Sequence, residues 1–427
     1  MVSTTQIYYT TQEGQMTTKT YILMNKNQEI LSFALDDETK YITHINDIRD
    51  IRYAPLGILN HKNEVERDRL NTWWEERTIP ATRDGWQKKR LAHQLPNAKT
   101  LLEKSNALSL SDCYWINDPK NPKKWEEINF FTNPFSGDLG MITLGEESPT
   151  KHLNLFSPNA SLTGDLEKKW ICDGEKRLLL KAGRGLSNQE VYNEVIASAL
   201  YQRLLPKRQF VPYRLIKENG KTYCCCENML QENEEFIPVF DLLQKEQRPN
   251  DQSFYQFLKA TLQKTELPHA ETYLTNLFLS DAILANTDRH TRNFGVMRNV
   301  ETLKFTRFAP IFDSGASLWC DKEMLEYPKD YEFQMKPWGK ENTKLLPLFT
   351  SINAFDIKAL NGFEEEAREI LEKNPNLSPK RIDQIQFGLE QQIKQVKDHV
   401  KHCQRQQHIN YLVTALEKEE KTEEKTL

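Results

Sequence analysis

Apolar and polar positions alternate with several distinct periods along the chain, and each period predicts an element. Residues 21–24 and 30–34 are short apolar runs separated by Asn25-Lys26-Asn27, which predicts a β-hairpin. Residues 64–77 are charged and helical, carry Trp73 and Trp74, and stop at Pro80. The tryptophan pair either anchors a small subdomain or forms a binding platform. Leu178-Leu179-Leu180 makes an apolar strand that ends at Lys181. A helix is expected after it: Ser187 and Glu190 have capping-box spacing, and Val191, Val195, Ala199 and Leu200 mark its buried stripe. Leu274, Leu277, Phe278, Ala282 and Ile283 recur at helical spacing and predict a second buried helix. Residues 294–297 and 303–311 read as two short strands. Ser378-Pro379 then opens a long helix whose stripe runs through Ile382, Ile385, Leu389, Ile393, Val396, Val400 and Cys403. That stripe is short for a coiled coil and lacks sustained charge pairs beside it, so packing on a helical core is the favoured reading.

Between the second buried helix and the two strands lies Asn286-Thr287-Asp288-Arg289-His290-Thr291-Arg292-Asn293, and after them Phe312-Asp313-Ser314-Gly315. An Asp followed five positions later by Asn is common by chance and reads alone as a turn with a helix cap. In this order, with the helix before it and an Asp-x-Gly after the strands, it forms the lower wall of a kinase-type cleft. Asp288 is then the candidate base that receives the acceptor hydroxyl's proton. Asn293 and Asp313 are the candidate Mg²⁺ ligands, and His290 braces the loop.

An upper wall should precede this. Lys181 and Glu194, thirteen positions on and inside the helix, suit an ion pair that steadies a phosphate-binding ammonium. A surface lysine and a solvated glutamate are the alternatives for that pair alone. Residues 161–168 form a polar turn with one glycine, Gly164, so the stretch is neither a G-x-G-x-x-G loop nor a Walker A loop. Residues 222–229 read as a small-residue strand that runs into a polar connection at Glu227 and Asn228, where a hinge would meet adenine. Cys224, Cys225 and Cys226 alternate faces on that strand, so they read as buried small hydrophobes and not as one metal site.

Taken together, residues ~150–400 resemble the HipA-like serine/threonine kinases, a family that includes toxin kinases of bacterial toxin–antitoxin pairs. Ser161-x-x-Gly164-x-x-x-Lys168 is similar to the family's phosphate loop, Lys181 to its nucleotide lysine, and Asn193-Glu194 to its Asn-Glu pair. Asp288-x-His290-x-x-Asn293 matches the catalytic loop and Asp313 the metal aspartate. The resemblance implies ATP and Mg²⁺ as cofactors, a protein Ser or Thr hydroxyl as acceptor, autophosphorylation of Ser161 with ejection of its loop, and a helix-turn-helix antitoxin as a candidate partner. Phosphoinositide kinases share the Asp-Arg-His-x-x-Asn loop and the following Asp-x-Gly. A lipid acceptor and a catalytically silent binding module therefore stay open as alternatives.

The expected fold class is α+β, a two-lobed protein-kinase-like fold with a β-rich N-lobe, a helical C-lobe and an accessory N-terminal region. The expected organisation is an accessory subdomain at 1–87, a connecting segment at 88–150, the N-lobe at 151–228, the C-lobe at 229–415 and a charged tail at 416–427. A chain of 427 residues with 38% hydrophobic content supports two or three ordinary cores. The net charge of −4 argues against nonspecific nucleic-acid binding. Seven cysteines with no spaced CxxC pair fit reduced thiols in a cytoplasmic protein. No signal peptide and no membrane span is expected.

Overall fold

The N-terminal hairpin forms as expected, from Thr18–Asn25 (β1) and Gln28–Asp36 (β2). The structure, a computed structural model, describes residues 17–146, 153–353 and 355–423. Ile42–Ile48 (β3) pairs with β2, and Tyr114–Asn117 (β4) pairs with β1, giving an antiparallel sheet of order β3-β2-β1-β4. The segment read as a connection thus supplies the fourth strand of this sheet. Its four residues, Tyr-Trp-Ile-Asn, are all buried, so they carry no polar alternation to mark them as a strand.

The helix Arg67–Glu76 covers this sheet. Its two tryptophans divide the work. Trp74 is fully buried and donates its indole N–H to the Lys40 carbonyl at 3.1 Å, whereas Trp73 lies edge-on to Tyr114 with its ring beneath the Arg77 guanidinium.

A second antiparallel sheet contains Lys168–Asp173 (β5), Lys176–Lys181 (β6), Arg214–Glu218 (β7) and Lys221–Glu227 (β8), in the order β5-β6-β8-β7. All three adjacent cysteines are buried and alternate as strand geometry requires. Cys224 and Cys226 enter the main core, and Cys225 packs with Leu178 and Leu180 on the other face. The helix Gln189–Leu204 follows β6. The capping box expected at Ser187 does not form. Asn188 precedes the helix in a left-handed conformation, its side chain accepts the Gly183 N–H at 2.7 Å, and Glu190 accepts the Arg184 N–H at 3.2 Å. Those local bonds close the β6-to-helix turn in place of the reciprocal cap.

Glu234–Pro238 (β9), Gly295–Asn299 (β10) and Phe305–Phe308 (β11) form a third antiparallel sheet, and Gln334–Met335 (β12) with Lys340–Glu341 (β13) a small hairpin. The helices Ala270–Leu284, Phe363–Leu371 and Pro379–Glu423 pack with Gln189–Leu204 into the largest apolar cluster. The last of these starts at Pro379 with Ser378 accepting the Arg381 N–H at 3.2 Å, and it runs on to Glu423, into the segment 416–427 read as a tail, whose last four residues lie outside the described ones.

The chain is therefore a mixed α and β fold of several antiparallel sheets and helices. The N-terminal sheet is not a detached appendage. Ile22, Met24 and Trp115 share one apolar cluster with Trp125, Phe130, Trp170 and Val300. Among the described residues no helix is long and apolar enough to cross a membrane.

Candidate active site

Every residue singled out from the sequence for catalysis, metal or nucleotide lines one cavity of about 960 Å³. Part of its wall comes from the loop that leaves the Ala270–Leu284 helix. Ala285 turns the chain in a left-handed conformation, and Asn286 then ties the loop back by donating to Asp281 at 2.8 Å and accepting the Asp288 N–H at 3.0 Å. Arg289 is fully buried and points away from the cavity. Its guanidinium meets Asp281 through two bonds of 2.9 and 3.1 Å, and also donates to the carbonyls of Asn293 and Phe312 and to Ser314 Oγ. Arg289 therefore binds the 288–293 loop to the Asp313 segment as one unit.

That anchoring leaves Asp288 half-exposed at the cavity, with Oδ1 2.6 Å from Lys336 Nζ. His290 accepts the Arg292 N–H on Nδ1 at 3.2 Å, and burial lowers its pKa, so at neutral pH it is a neutral brace within the loop. Asn293 donates through Nδ2 to the Asp288 carbonyl at 3.3 Å, and its amide oxygen takes no part in that bond.

Asp313 is itself in a left-handed conformation. Lys181 Nζ lies 2.7 Å from Asp313 Oδ1 and 3.0 Å from Glu194 Oε1, while Glu194 Oε2 accepts the Ser314 N–H at 3.0 Å. Burial works to raise the Asp313 carboxyl, but Lys181 and then Lys168 outweigh it and hold the group well below the usual carboxylate range. Burial likewise opposes the Lys181 charge, yet Asp313 and Glu194 hold its pKa well above an ordinary lysine's. Asn193, fully buried, donates to the carbonyls of Gly315 and Ser317 at 2.9 and 2.7 Å, so it secures the chain after Asp313. A Cβ on Gly315 would stand 3.1 Å from the Glu190 carbonyl oxygen, which is why a residue without one occupies the approach.

Lys168 is the cross-strand partner of Lys181. Burial pushes its ammonium down to about 8, against the pull of Asp313. Gly164 has φ of +86°, and a Cβ there would meet Lys168 Nζ at 2.7 Å, so this glycine admits both the turn and the lysine. Ser161 ends a short 3-10 turn, Pro158–Ser161. It is buried and donates to the Pro158 carbonyl at 3.0 Å.

A major restraint on the 161–165 loop comes from Arg83, which donates to the carbonyls of Leu162 at 2.6 Å and Gly164 at 3.0 Å, with Thr82 bonded to Asp165 at 2.7 Å. Lys89 also pairs with Glu167. Arg83 Nη1 is buried without a partner among the described residues, and burial pushes the guanidinium down to about 10.

At the opposite edge, Glu227 pairs with Lys176, and Asn228 donates its backbone N–H to the Arg177 carbonyl at 2.8 Å and its side chain to the Leu110 carbonyl at 3.0 Å. The Asn228 amide is therefore committed within the protein, so a base at this edge would need neighbouring backbone groups.

The N-terminal region closes the rest of the cavity. Trp73, Glu76, Arg77 and Tyr114 line it beside Asp288 and Asp313. Glu76 pairs with Arg292 at 2.7 Å, and the Arg292 guanidinium lies 3.7 Å from the centre of the Phe240 ring. Five residues escaped the sequence reading: Arg83, Glu76, Asp281, Arg292 and Lys336. Only Asp281 had a usable signal, as the one charged residue in the stretch 272–284, eight positions before an arginine.

No family model and no curated protein matches this chain. Among solved structures, HipA of Shewanella oneidensis MR-1, determined as a toxin–antitoxin complex with HipB and operator DNA, matches with a TM-score of 0.53 at 11% identity. The match covers 89% of this chain and 99% of that one. The proinflammatory kinase CtkA of Helicobacter pylori matches with a TM-score of 0.44 at 13% identity, over 56% of this chain and 95% of its own. The chain therefore shares the HipA fold.

Proposed function

We propose that this protein is an ATP- and Mg²⁺-dependent kinase whose cleft lies between a β-rich lobe, residues 151–228, and a helical lobe, residues 229–415. The observation that carries this reading is the convergence of Lys181, Glu194, Asp313 and the 288–293 loop on one cavity of about 960 Å³. The donor set suits magnesium held with a nucleotide. Among the described residues no group of three or more His, Cys, Asp or Glu could hold a metal alone. An ionised carboxylate at Asp313 and an amide oxygen at Asn293 leave the remaining positions to water and phosphate oxygens, the usual arrangement for Mg²⁺ in such sites. Bound Mg·ATP supplies the phosphoryl group and the charge that lets ADP leave.

Lys181 and Lys168 offer positive charge for phosphate oxygens, and Glu194 fixes the direction of Lys181. Asp288 takes the proton of the attacking hydroxyl. His290, neutral, keeps the loop in shape. The acceptor we infer is a Ser or Thr hydroxyl of a protein. The HipA relative is held with HipB and DNA, and a DNA-binding partner protein in the cytoplasm is proposed here on that precedent. Ser161 is the proposed autophosphorylation site. Its burial means that the loop must first leave Arg83.

The test is incubation of the purified protein with γ-labelled ATP and Mg²⁺, separately with a protein extract and with phosphoinositide vesicles. Label on protein Ser or Thr supports the proposal. Label confined to lipid assigns a lipid acceptor, and no label in either arm leaves a silent binding module.

A further inference from the structure

The cations in and beside the cavity are unevenly distributed; of those lining it, Arg69 pairs with Glu66 and Arg77 with Asp112. Lys168 and Lys181 stand at Asp313. Arg289 is spent on Asp281, Ser314 and two carbonyls, and Arg292 on Glu76 and Phe240. At Asp288 the cation within bonding distance is Lys336, 2.6 Å away. Phosphoryl transfer carries the charged phosphoryl group from the Asp313 end toward the hydroxyl held at Asp288 while the breaking bond's electron pair stays with ADP, so the oxygens of that group must be met at the Asp288 end as well.

Lys336 is not an ordinary surface lysine. It directly follows β12, whose Met335 is fully buried, and Trp338 two positions on packs against Phe278 of the Ala270–Leu284 helix with ring centres 4.6 Å apart. Gln392 of the long C-terminal helix holds the Tyr331 carbonyl at 3.1 Å just before the hairpin. The backbone on either side of Lys336 is thus fixed by core packing, while its side chain stays about half exposed. A half-exposed ion pair contributes little to stability, roughly 0–1 kcal/mol. Stability does not explain why a packed hairpin presents a lysine at this carboxylate.

We propose that Lys336 is a further catalytic residue, supplied by the β12–β13 hairpin, that binds the phosphoryl group in transfer at the Asp288 end of the cavity. This rests on the kinase reading above. In the step it serves, the bond from the γ-phosphorus to the ADP oxygen breaks and its electron pair leaves with ADP. The acceptor oxygen forms the new bond to phosphorus, and its proton passes to Asp288. Lys336 donates to a phosphoryl oxygen during this exchange, and without nucleotide it rests on Asp288.

Lys336→Met should lower the single-turnover rate by about 10²-fold, with the KM for ATP and the thermal midpoint little changed. Lys336→Arg should recover a substantial part of the rate. A readout independent of turnover is binding of Mg·ADP with and without aluminium fluoride, a mimic of the phosphoryl group in flight. Lys336→Met should bind Mg·ADP normally and lose about tenfold of the affinity that fluoride adds. A Lys336→Met variant equal to or faster than wild type would overturn the proposal, and a faster one would make the ion pair an inhibitory plug. Wild-type protein that neither transfers phosphate nor binds Mg·ADP would instead overturn the kinase reading itself. If wild type does both, Lys181→Met does not transfer, and Lys336→Met matches wild type, only the assignment of Lys336 falls.

Discussion

Replacing Asp281 by alanine should be among the most destabilising single changes beneath the 288–293 loop. Asp281 and Arg289 are fully buried, and their two bonds of 2.9 and 3.1 Å are the only carboxylate contacts of that guanidinium among the described residues. Removing one member of such a pair leaves the other charge buried and uncompensated, at a cost of about 3–5 kcal/mol. Counting bonds sets a higher ceiling, about 4.5–9 kcal/mol if all three were summed. The variant loses the charge-assisted bonds to Arg289 and the bond from Asn286 at 2.8 Å, each about 1.5–3 kcal/mol with a charged partner, and these are not additive. Asp281→Leu combined with Arg289→Met should cost clearly less than the two single changes summed, because the double variant leaves no orphaned charge. The measurement is urea unfolding of wild type, both single variants and the double variant, followed by tryptophan fluorescence. A loss below about 1 kcal/mol for Asp281→Ala, or strict additivity in the double variant, would refute the argument that this pair ties the loop to the Asp313 segment.

Other outcomes are expected elsewhere in the site. Lys181→Met and Glu194→Gln should each remove most of the transfer activity, and the double variant little more. Independent, additive losses in the cycle would mean the two do not act together. Arg83→Met should loosen residues 161–165, seen as faster amide exchange there and a raised KM for ATP at similar kcat. Ser161 should then take up phosphate faster by mass spectrometry, and Ser161→Asp should bind ATP poorly; unchanged exchange would leave the loop without its supposed clamp. Asp241 lines the cavity, and burial raises its carboxyl to about 6. The folded state therefore holds a proton that the unfolded chain has released between about pH 4 and 6, and stability falls as pH rises through that window. Asp241→Asn should gain on the order of 1–3 kcal/mol at pH 7.5, with the gain vanishing near pH 4; an equal effect at both pH values would rule out a charge-burial origin.

Short-range pattern carried much of the fold. The N-terminal hairpin, the helices around residues 191–200 and 274–283, the two strands before Asp313 and the helix opening at Pro379 all leave their period in the sequence, because each buries one face against a core. The cavity-lining residues were legible because the 288–293 loop and the Asp-x-Gly segment each carry their residue types at short fixed spacing, although Asp313 meets Lys181 over 132 positions and Ser314 meets Glu194 over 120. What escaped depends on contacts across long separations. Arg83 reaches Gly164 over 81 positions, Arg292 reaches Glu76 over 216, and Lys336 reaches Asp288 over 48. Nothing in the local pattern marks any of these as a site residue. The strand at Tyr114–Asn117 was missed because it is buried on both faces and only four residues long. The failed capping box shows a local rule losing to another local bond, that of Asn188 to Gly183.

The central claim is that Asp288 serves the chemistry while Asp313 serves the metal and nucleotide. It is tested most directly by measuring Mg·ATP affinity and single-turnover transfer for wild type, Asp288→Asn and Asp313→Asn side by side. Asp288→Asn should bind Mg·ATP nearly as wild type does and transfer at least about 10²-fold more slowly, whereas Asp313→Asn should lose both binding and transfer. Full transfer by Asp288→Asn, or undiminished Mg·ATP binding by Asp313→Asn, would contradict the assignment.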